Sequence, residues 1–137
     1  MAKYEKPLPV IPLESAPYWK ALRKHRLTLQ HCTKCGKYQY PASTVCHHCG
    51  TTAIEWKEVQ GKGTIYSFSV VHRAPDPSFA PDVPYAVIVV ALDEGPRVMS
   101  NLVGVPATQV KIGMRVEPVF EDVTSRVTLL KFKPAGN

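Results

Sequence analysis

Four cysteines in two tight pairs limit what this chain can become. The pairs are Cys32-Thr-Lys-Cys35-Gly36 and Cys46-His-His-Cys49-Gly50, with ten residues between Cys35 and Cys46. A CxxC turn presents two sulfurs to one point, and two such turns complete a tetrahedron around zinc. A glycine follows each pair and readily takes the positive φ such a turn needs. A redox CxxC opens a helix in a βαβ context, which is missing here. Disulfides are also disfavoured, because the chain starts with no apolar leader and reads as cytoplasmic, where thiols stay reduced. The expected ligands are therefore Cys32, Cys35, Cys46 and Cys49. Four sulfurs leave no open coordination position, so the ion is expected to be structural. Iron fits the same ligands. His31, His47 and His48 lie beside the pairs and read as exposed ribbon residues.

The rest of the 137 residues divides around this motif. Residues 1–26 read as an arm and a helix. Pro7 and Pro9 extend the arm, which could lie on this protein or on a partner. A helix is predicted over 15–26, with Ser15 as N-cap, Pro17 in the first turn and an apolar stripe of Tyr18, Trp19 and Leu22. Residues 27–60 form the ribbon, flanked by short strands at 27–30 and 54–58.

From Gly61 the pattern turns to strands, at 64–71, 84–92, 98–103, 115–120 and 128–132. In the first, Tyr66, Phe68 and Val70 alternate with serines, as in a half-buried strand. The second is continuously apolar and predicted to be covered on both faces. Asp93-Glu94-Gly95-Pro96 is a turn. Pro118 puts its strand at an edge or bulge. Five strands without an intervening helix predict a small closed barrel of the OB type over 61–137. The fold class is thus mainly β: a helix, a zinc ribbon and a five-stranded OB-fold barrel. A small sandwich is the alternative.

Charge narrows the partners. The net charge is +6, with nine Lys/Arg against four Asp/Glu in 1–60 and eight against seven in 61–137. A nucleic-acid-binding barrel would be basic, yet this one nets only +1. The longest apolar run, 85–92, is too short to cross a membrane. No cysteine is left over for nucleophilic work, and no GxSxG, Walker or GxGxxG pattern occurs. No catalytic residue is assigned. One loop stands out: residues 71–85, rich in proline, with exposed aromatics. Long loops in small domains are often functional. His72, Arg73, Phe79 and Tyr85 are its candidate contact residues.

The order of segments resembles the DUF35 family. It runs from the Tyr18-Trp19 helix through CxxCG…CxxCG to Gly-Lys-Gly-Thr-Ile-Tyr-Ser-Phe-Ser-Val-Val-His-Arg-Ala-Pro (61–75). Then follow Phe-Ala-Pro-Asp-Val-Pro-Tyr (79–85), Leu-Asp-Glu-Gly-Pro-Arg-Val-Met-Ser-Asn-Leu-Val-Gly (92–104) and Ile-Gly-Met-Arg-Val-Glu-Pro-Val-Phe (112–120). The resemblance covers roughly residues 13–134. It implies a rubredoxin-like zinc ribbon joined to an OB-fold, the four cysteines as metal ligands, and a role in acyl-CoA metabolism. It further implies an accessory subunit of a thiolase-like enzyme, whose partner chain supplies the catalytic Cys and His. Coenzyme A thioester is then the expected ligand. Trp19 and Arg23 of the helix, the loop residues and Arg97 are the expected substrate or partner contacts. Lys20, Lys24 and Arg26 would add steering charge for the phosphates of CoA. A stand-alone acyl-CoA binder, a hydratase partner and a nucleic-acid module are the alternatives.

Overall fold

A computed structural model describes residues 4–136. A 3₁₀ turn at Leu13–Ser15 leads into helix α1, Ala16–Arg23. The helix starts one residue later and stops three residues earlier than expected. Ser15 does not cap it; its hydroxyl donates back to the Pro12 carbonyl at 3.2 Å. The C-terminus closes in a Schellman pattern. Arg26 N donates to Ala21 O at 3.0 Å and His25 N to Leu22 O at 2.9 Å. His25 occupies the left-handed position, φ 57°, where glycine is usual. Its ring stacks on Phe120, centroids 5.4 Å apart, and bonds Asp122 at 2.9 Å. Those barrel contacts hold a residue the turn alone would disfavour.

Strands β1 (Leu27–Cys32), β2 (Tyr38–Gln39) and β3 (Ile54–Val59) form an antiparallel sheet in the order β2-β1-β3. β2 was not foreseen; two residues are too few to show a period. Strands β4 (Gly63–Val71), β5 (Tyr85–Leu92), β6 (Arg97–Leu102), β7 (Arg115–Asp122) and β8 (Thr128–Pro134) close a barrel in the order β4-β5-β6-β8-β7. All pairings are antiparallel except β6 with β8, where Leu102 faces Phe132. This is the expected mainly β architecture with an OB-type barrel. Pro118 sits opposite Phe132 in β7, which pairs with β4 only at its first two residues. Its missing N–H therefore breaks no second ladder.

Two expectations for the barrel need correction. A bulge between Ile65 and Ser67 breaks the alternation of β4, leaving Tyr66, Ser67, Phe68 and Ser69 all exposed. β5 is central but not covered on both faces. Ala86, Ile88, Val90 and Leu92 are buried, while Tyr85, Val87, Val89 and Ala91 remain half-buried on the outside.

Ile65, Ile88, Val90, Val98, Leu102, Val116 and Phe132 fill the barrel, and Leu29 of the ribbon packs into the same cluster. A second cluster joins Tyr18 and Leu22 of the helix to Leu27 of β1, with Phe120 and Leu130 of the barrel against them. Helix, ribbon and barrel therefore share buried contacts at two places. The linker runs through Gly61, φ 72°, where an added Cβ would lie 2.3 Å from Leu27 Cδ2. At Gly63 a Cβ would sit 2.6 Å from the Ala91 carbonyl oxygen, which cannot move without opening the β4–β5 ladder. Gly63→Ala is expected to cost about 1–3 kcal/mol, the usual range for overpacking a tight site. Urea denaturation should show a lower midpoint with an unchanged slope.

Candidate metal centre

The two cysteine turns are built alike. In the first, Cys32 N donates to Lys37 O at 2.9 Å, and Gly36 N donates to Cys32 O at 2.9 Å. In the second, Cys46 N donates to Thr51 O at 2.8 Å and Gly50 N to Cys46 O at 2.9 Å. Gly36 and Gly50 have φ of 78° and 76°. A Cβ at either would meet nothing within 4 Å, so the backbone angle, not space, calls for glycine. Cys32 also ends β1, which ties the first turn to the ribbon sheet.

The four Sγ atoms lie within 4.8 Å of one another. Cys32 and Cys49 are 3.6 Å apart, and Cys35 and Cys46 are 3.7 Å apart. Zinc–sulfur bonds of about 2.3 Å in a tetrahedron place sulfurs roughly 3.8 Å apart. A disulfide would need about 2 Å. The Cys35 N–H points at Cys32 Sγ (3.3 Å) and the His48 N–H at Cys46 Sγ (3.4 Å), as donors around metal thiolates do.

The electrostatics agree. The Cys35 N–H holds the Cys32 thiol down to about 6. Burial pushes Cys46 up, but the His48 and Cys49 N–H groups outweigh it and leave that thiol lowered. Cys35 goes the other way, to about 11. The Lys37 N–H pulls it down, but burial and the neighbouring sulfurs win. Cys49 is raised too, against its Thr51 N–H donor. Four sulfurs this close cannot all hold negative charge unaided. A divalent cation at their centre removes that conflict. The four cysteines are thus positioned for metal binding.

The remaining candidates scatter. His47 and His48 are exposed as expected, but His31 is half-buried and bonds Glu55 at 2.9 Å, a strand-to-strand contact. Tyr18 and Leu22, rather than Trp19, are the buried anchors of the helix; Trp19 is half-buried and Arg23 exposed. Phe79 and Tyr85 do come together, centroids 6.0 Å apart. They are half-buried, not exposed, because residues Pro77–Asp82 fold into a 3₁₀ helix capped by Asp76, which accepts from Ser78 N at 2.9 Å. His72 and Arg73 are exposed and stand outside the groove that Phe79 and Tyr85 line. Arg97 lies elsewhere, with its guanidinium 3.9 Å from the Tyr66 ring centroid on the barrel's outer face.

Sequence reasoning missed the arm's role in that groove. Lys6 pairs with Asp82 and sits over the Tyr4 and Phe79 rings, at 5.8 and 5.7 Å. The described part of the arm thus lies on this protein. With Asn101, Glu121 and Lys131, these residues enclose a groove of about 670 Å³. The arm joins the groove through a contact across 75 residues of sequence, and no local pattern carries that signal.

A two-knuckle cysteine ribbon fused to an OB-type barrel defines the class: a zinc-ribbon/OB-fold protein. Comparison with known proteins is consistent over nearly the whole chain. The ChsH2 rubredoxin-like zinc ribbon domain matches residues 19–55, and the ChsH2 C-terminal OB-fold domain matches residues 56–121. A DUF35 domain-containing scaffold protein of Methanocaldococcus jannaschii is 35% identical, across 87% of this chain and 89% of its own length. The chain belongs to the DUF35 family.

A Thermomonospora curvata protein named "Probable enoyl-CoA hydratase alpha subunit" is 35% identical over 95% of this chain. This chain spans 40% of that protein's length. A chain of the solved structure "Ltp2-ChsH2(DUF35) aldolase" superposes with TM-score 0.84 at 35% identity, covering 94% of this chain and 100% of that one. A DUF35 protein of unknown function from Sulfolobus solfataricus, 16% identical with TM-score 0.63, shares the fold. Among the described residues, no helix is long and apolar enough to cross a membrane.

Cys46 is buried and central to the second turn. Cys46→Ser should remove bound metal, read as zinc per chain by elemental analysis. Metal binding of this kind contributes free energy on the order of 10 kcal/mol to folding. The substitution, or a strong chelator, should therefore lower Tm markedly. Acidification should release the metal as protons compete for the sulfurs.

Proposed function

We propose that this chain is a zinc-containing, non-catalytic accessory subunit of a thiolase-type acyl-CoA enzyme, supporting assembly and acyl-CoA binding. The observation that carries the reading is the near-complete superposition on a chain of the Ltp2-ChsH2(DUF35) aldolase. The ligand set supports it: all four cysteines converge on one point, which leaves the chain no thiol for covalent catalysis. In this reading the units are 1–26, 27–60 and 61–137, and Cys32, Cys35, Cys46 and Cys49 hold structural zinc.

The groove beside Phe79 and Tyr85 is the natural place for the acyl-pantetheine part of a CoA thioester. Its lining carries three aromatic rings, Tyr4, Phe79 and Tyr85, and Lys6 and Lys131 provide positive charge. Both lysines already face carboxylates, Asp82 and Glu121, so they present compensated charge rather than a bare anion site. The CoA phosphates are better served by the exposed Arg23, His72 and Arg73. Trp19 and Arg97 are assigned to partner contact, Arg97 together with the exposed Tyr66 and Met99. A partner of hydratase type is the second reading, favoured by the names of the Thermomonospora relative and of a 30%-identical hydratase alpha subunit from Mycobacterium tuberculosis, of which this chain spans 34%.

Co-expression with a thiolase-like chain tests the first reading. A stable complex with acyl-CoA cleavage, and no turnover by this chain alone, is expected. Turnover by the isolated chain would refute the non-catalytic assignment. Robust hydration of an enoyl-CoA by a complex with a hydratase chain, and none with the thiolase-like chain, would move the function to the second reading. Replacing residues 74–83 with a short glycine linker should abolish the complex or its activity. Wild-type assembly and turnover in that variant would remove the loop from the interface and from the CoA site.

A further inference from the structure

We infer that residues 4–7 of the arm form a displaceable strap on the Phe79/Tyr85 groove, latched by Lys6, and that a guest in the groove and the latched Lys6 exclude each other. The guest, on the reading proposed above, is the acyl-pantetheine part of a CoA thioester. Part of the groove is fixed. Ala86, Asn101 and Leu102 belong to β5 and β6, and Asn101 Nδ2 ties the two strands by donating to Ala86 O at 3.0 Å. Lys131 of β8 pairs with Glu121 of β7 at 2.6 Å. The remaining lining includes Tyr4, Lys6 and Pro7 of the arm.

No ladder holds the arm in the same way. Residues 4–11 belong to no helix or strand, and among the described residues none of them takes part in a backbone hydrogen bond. Tyr4 and Lys6 are half-buried while Glu5 is exposed, the alternation of an extended chain laid along a surface. Past them, Leu8 and Val10 are exposed, so burial of these side chains adds no second anchor. Pro7 and Pro9 keep the stretch extended and limit the conformers it visits when free, so it finds its seat again readily.

The latch is a single side chain. The Lys6 ammonium pairs with Asp82 of the loop and lies 5.7 Å from the Phe79 ring centroid and 5.8 Å from that of Tyr4. The two side chains of the pair are 21% and 41% exposed, so water and salt reach it. An exposed pair of this kind shifts an equilibrium by about fivefold at most. The released arm is therefore a populated state and not a rare unfolding event. Latch and groove also share residues: Phe79 and Asp82 hold Lys6 and line the groove. A guest that contacts them competes with Lys6.

Ring currents from Tyr4 and Phe79 mark the latched Lys6, so its ε-methylene signal in a ¹H–¹³C spectrum of the full, metal-loaded chain reports the strap. At low salt this signal should lie upfield of free lysine. Addition of 1 M NaCl, or Asp82→Asn, should move it toward the free-lysine position, with unchanged zinc content. A wild-type signal already at the free position at low salt overturns the inference, and so does one that neither salt nor Asp82→Asn moves. S-acetylpantetheine, which has no phosphate and so does not respond to the charge lost at Asp82, is the guest probe. Read at the Tyr85 ring, it should bind Asp82→Asn about fivefold more tightly than wild type, as the competent fraction rises. Saturating the wild type with it should release Lys6 in turn. Equal or weaker binding to Asp82→Asn, or a Tyr85 shift with Lys6 still latched, overturns the exclusion. No binding to either chain, with Lys6 responding to salt and to Asp82→Asn, removes the CoA reading of the groove and leaves the strap in place.

Discussion

The convergence of four sulfurs on one point organises more than the ribbon. It fixes the end of β1 at Cys32 and therefore the direction of the whole strand. Along β1 lie Leu27 and Leu29, each almost fully buried, and they enter different cores. Leu29 joins the barrel interior; Leu27 joins the helix and covers Gly61 in the linker. A ribbon of this size buries too little apolar surface to hold such a strand unaided. The cysteine cluster and the shared cores are thus mutually dependent: the metal-binding turns orient β1, and the barrel receives its side chains.

That dependence explains what could be read from the amino-acid sequence and what could not. The cysteine turns are local, four residues each with a glycine behind, so the residue pattern carried their whole geometry. The barrel strands were legible because each is longer than its period, and Asp93-Glu94-Gly95-Pro96 punctuates a real hairpin, with Leu92 N bonding Pro96 O at 2.9 Å. The bulge in β4 escaped because alternation in Tyr66–Val70 looks the same whether or not the backbone slips by one residue. The outer face of β5 escaped because Val87 and Val89 are apolar although half-exposed, and composition alone cannot tell a covered face from an available one.

Non-local contacts hid the rest. His25 is tolerated in a left-handed position only because Phe120 and Asp122, almost 100 residues later, meet its ring. Lys6 closes a groove with Asp82 and Phe79. Neither partner is visible from a window of sequence around the residue concerned. The candidate contacts Phe79 and Tyr85 were found because aromatic residues in a proline-rich loop are conspicuous. Tyr4, Lys6 and Asn101 were not, since nothing in their own surroundings sets them apart.

The distribution of charge follows the same division. The basic excess of the first 60 residues is partly neutralised where it touches the fold, as Arg26 faces Glu58 at 3.7 Å and Lys6 faces Asp82. In the barrel, Asp93 is held below the usual carboxylate range by two hydrogen bonds from Arg115, each 2.8 Å. These pairs are largely exposed and individually contribute little stability. What they do is fix position: Arg115–Asp93 joins the start of β7 to the end of β5, and Lys6–Asp82 holds the arm over the loop. Among the described residues, Lys20 and Arg23 of α1 and Lys24 at its C-cap form no salt bridge and leave positive charge at the helix C-terminus. A helix anchored by Tyr18 and Leu22 keeps those side chains at a fixed height above the barrel, so an anion steered to them arrives at a surface already in place.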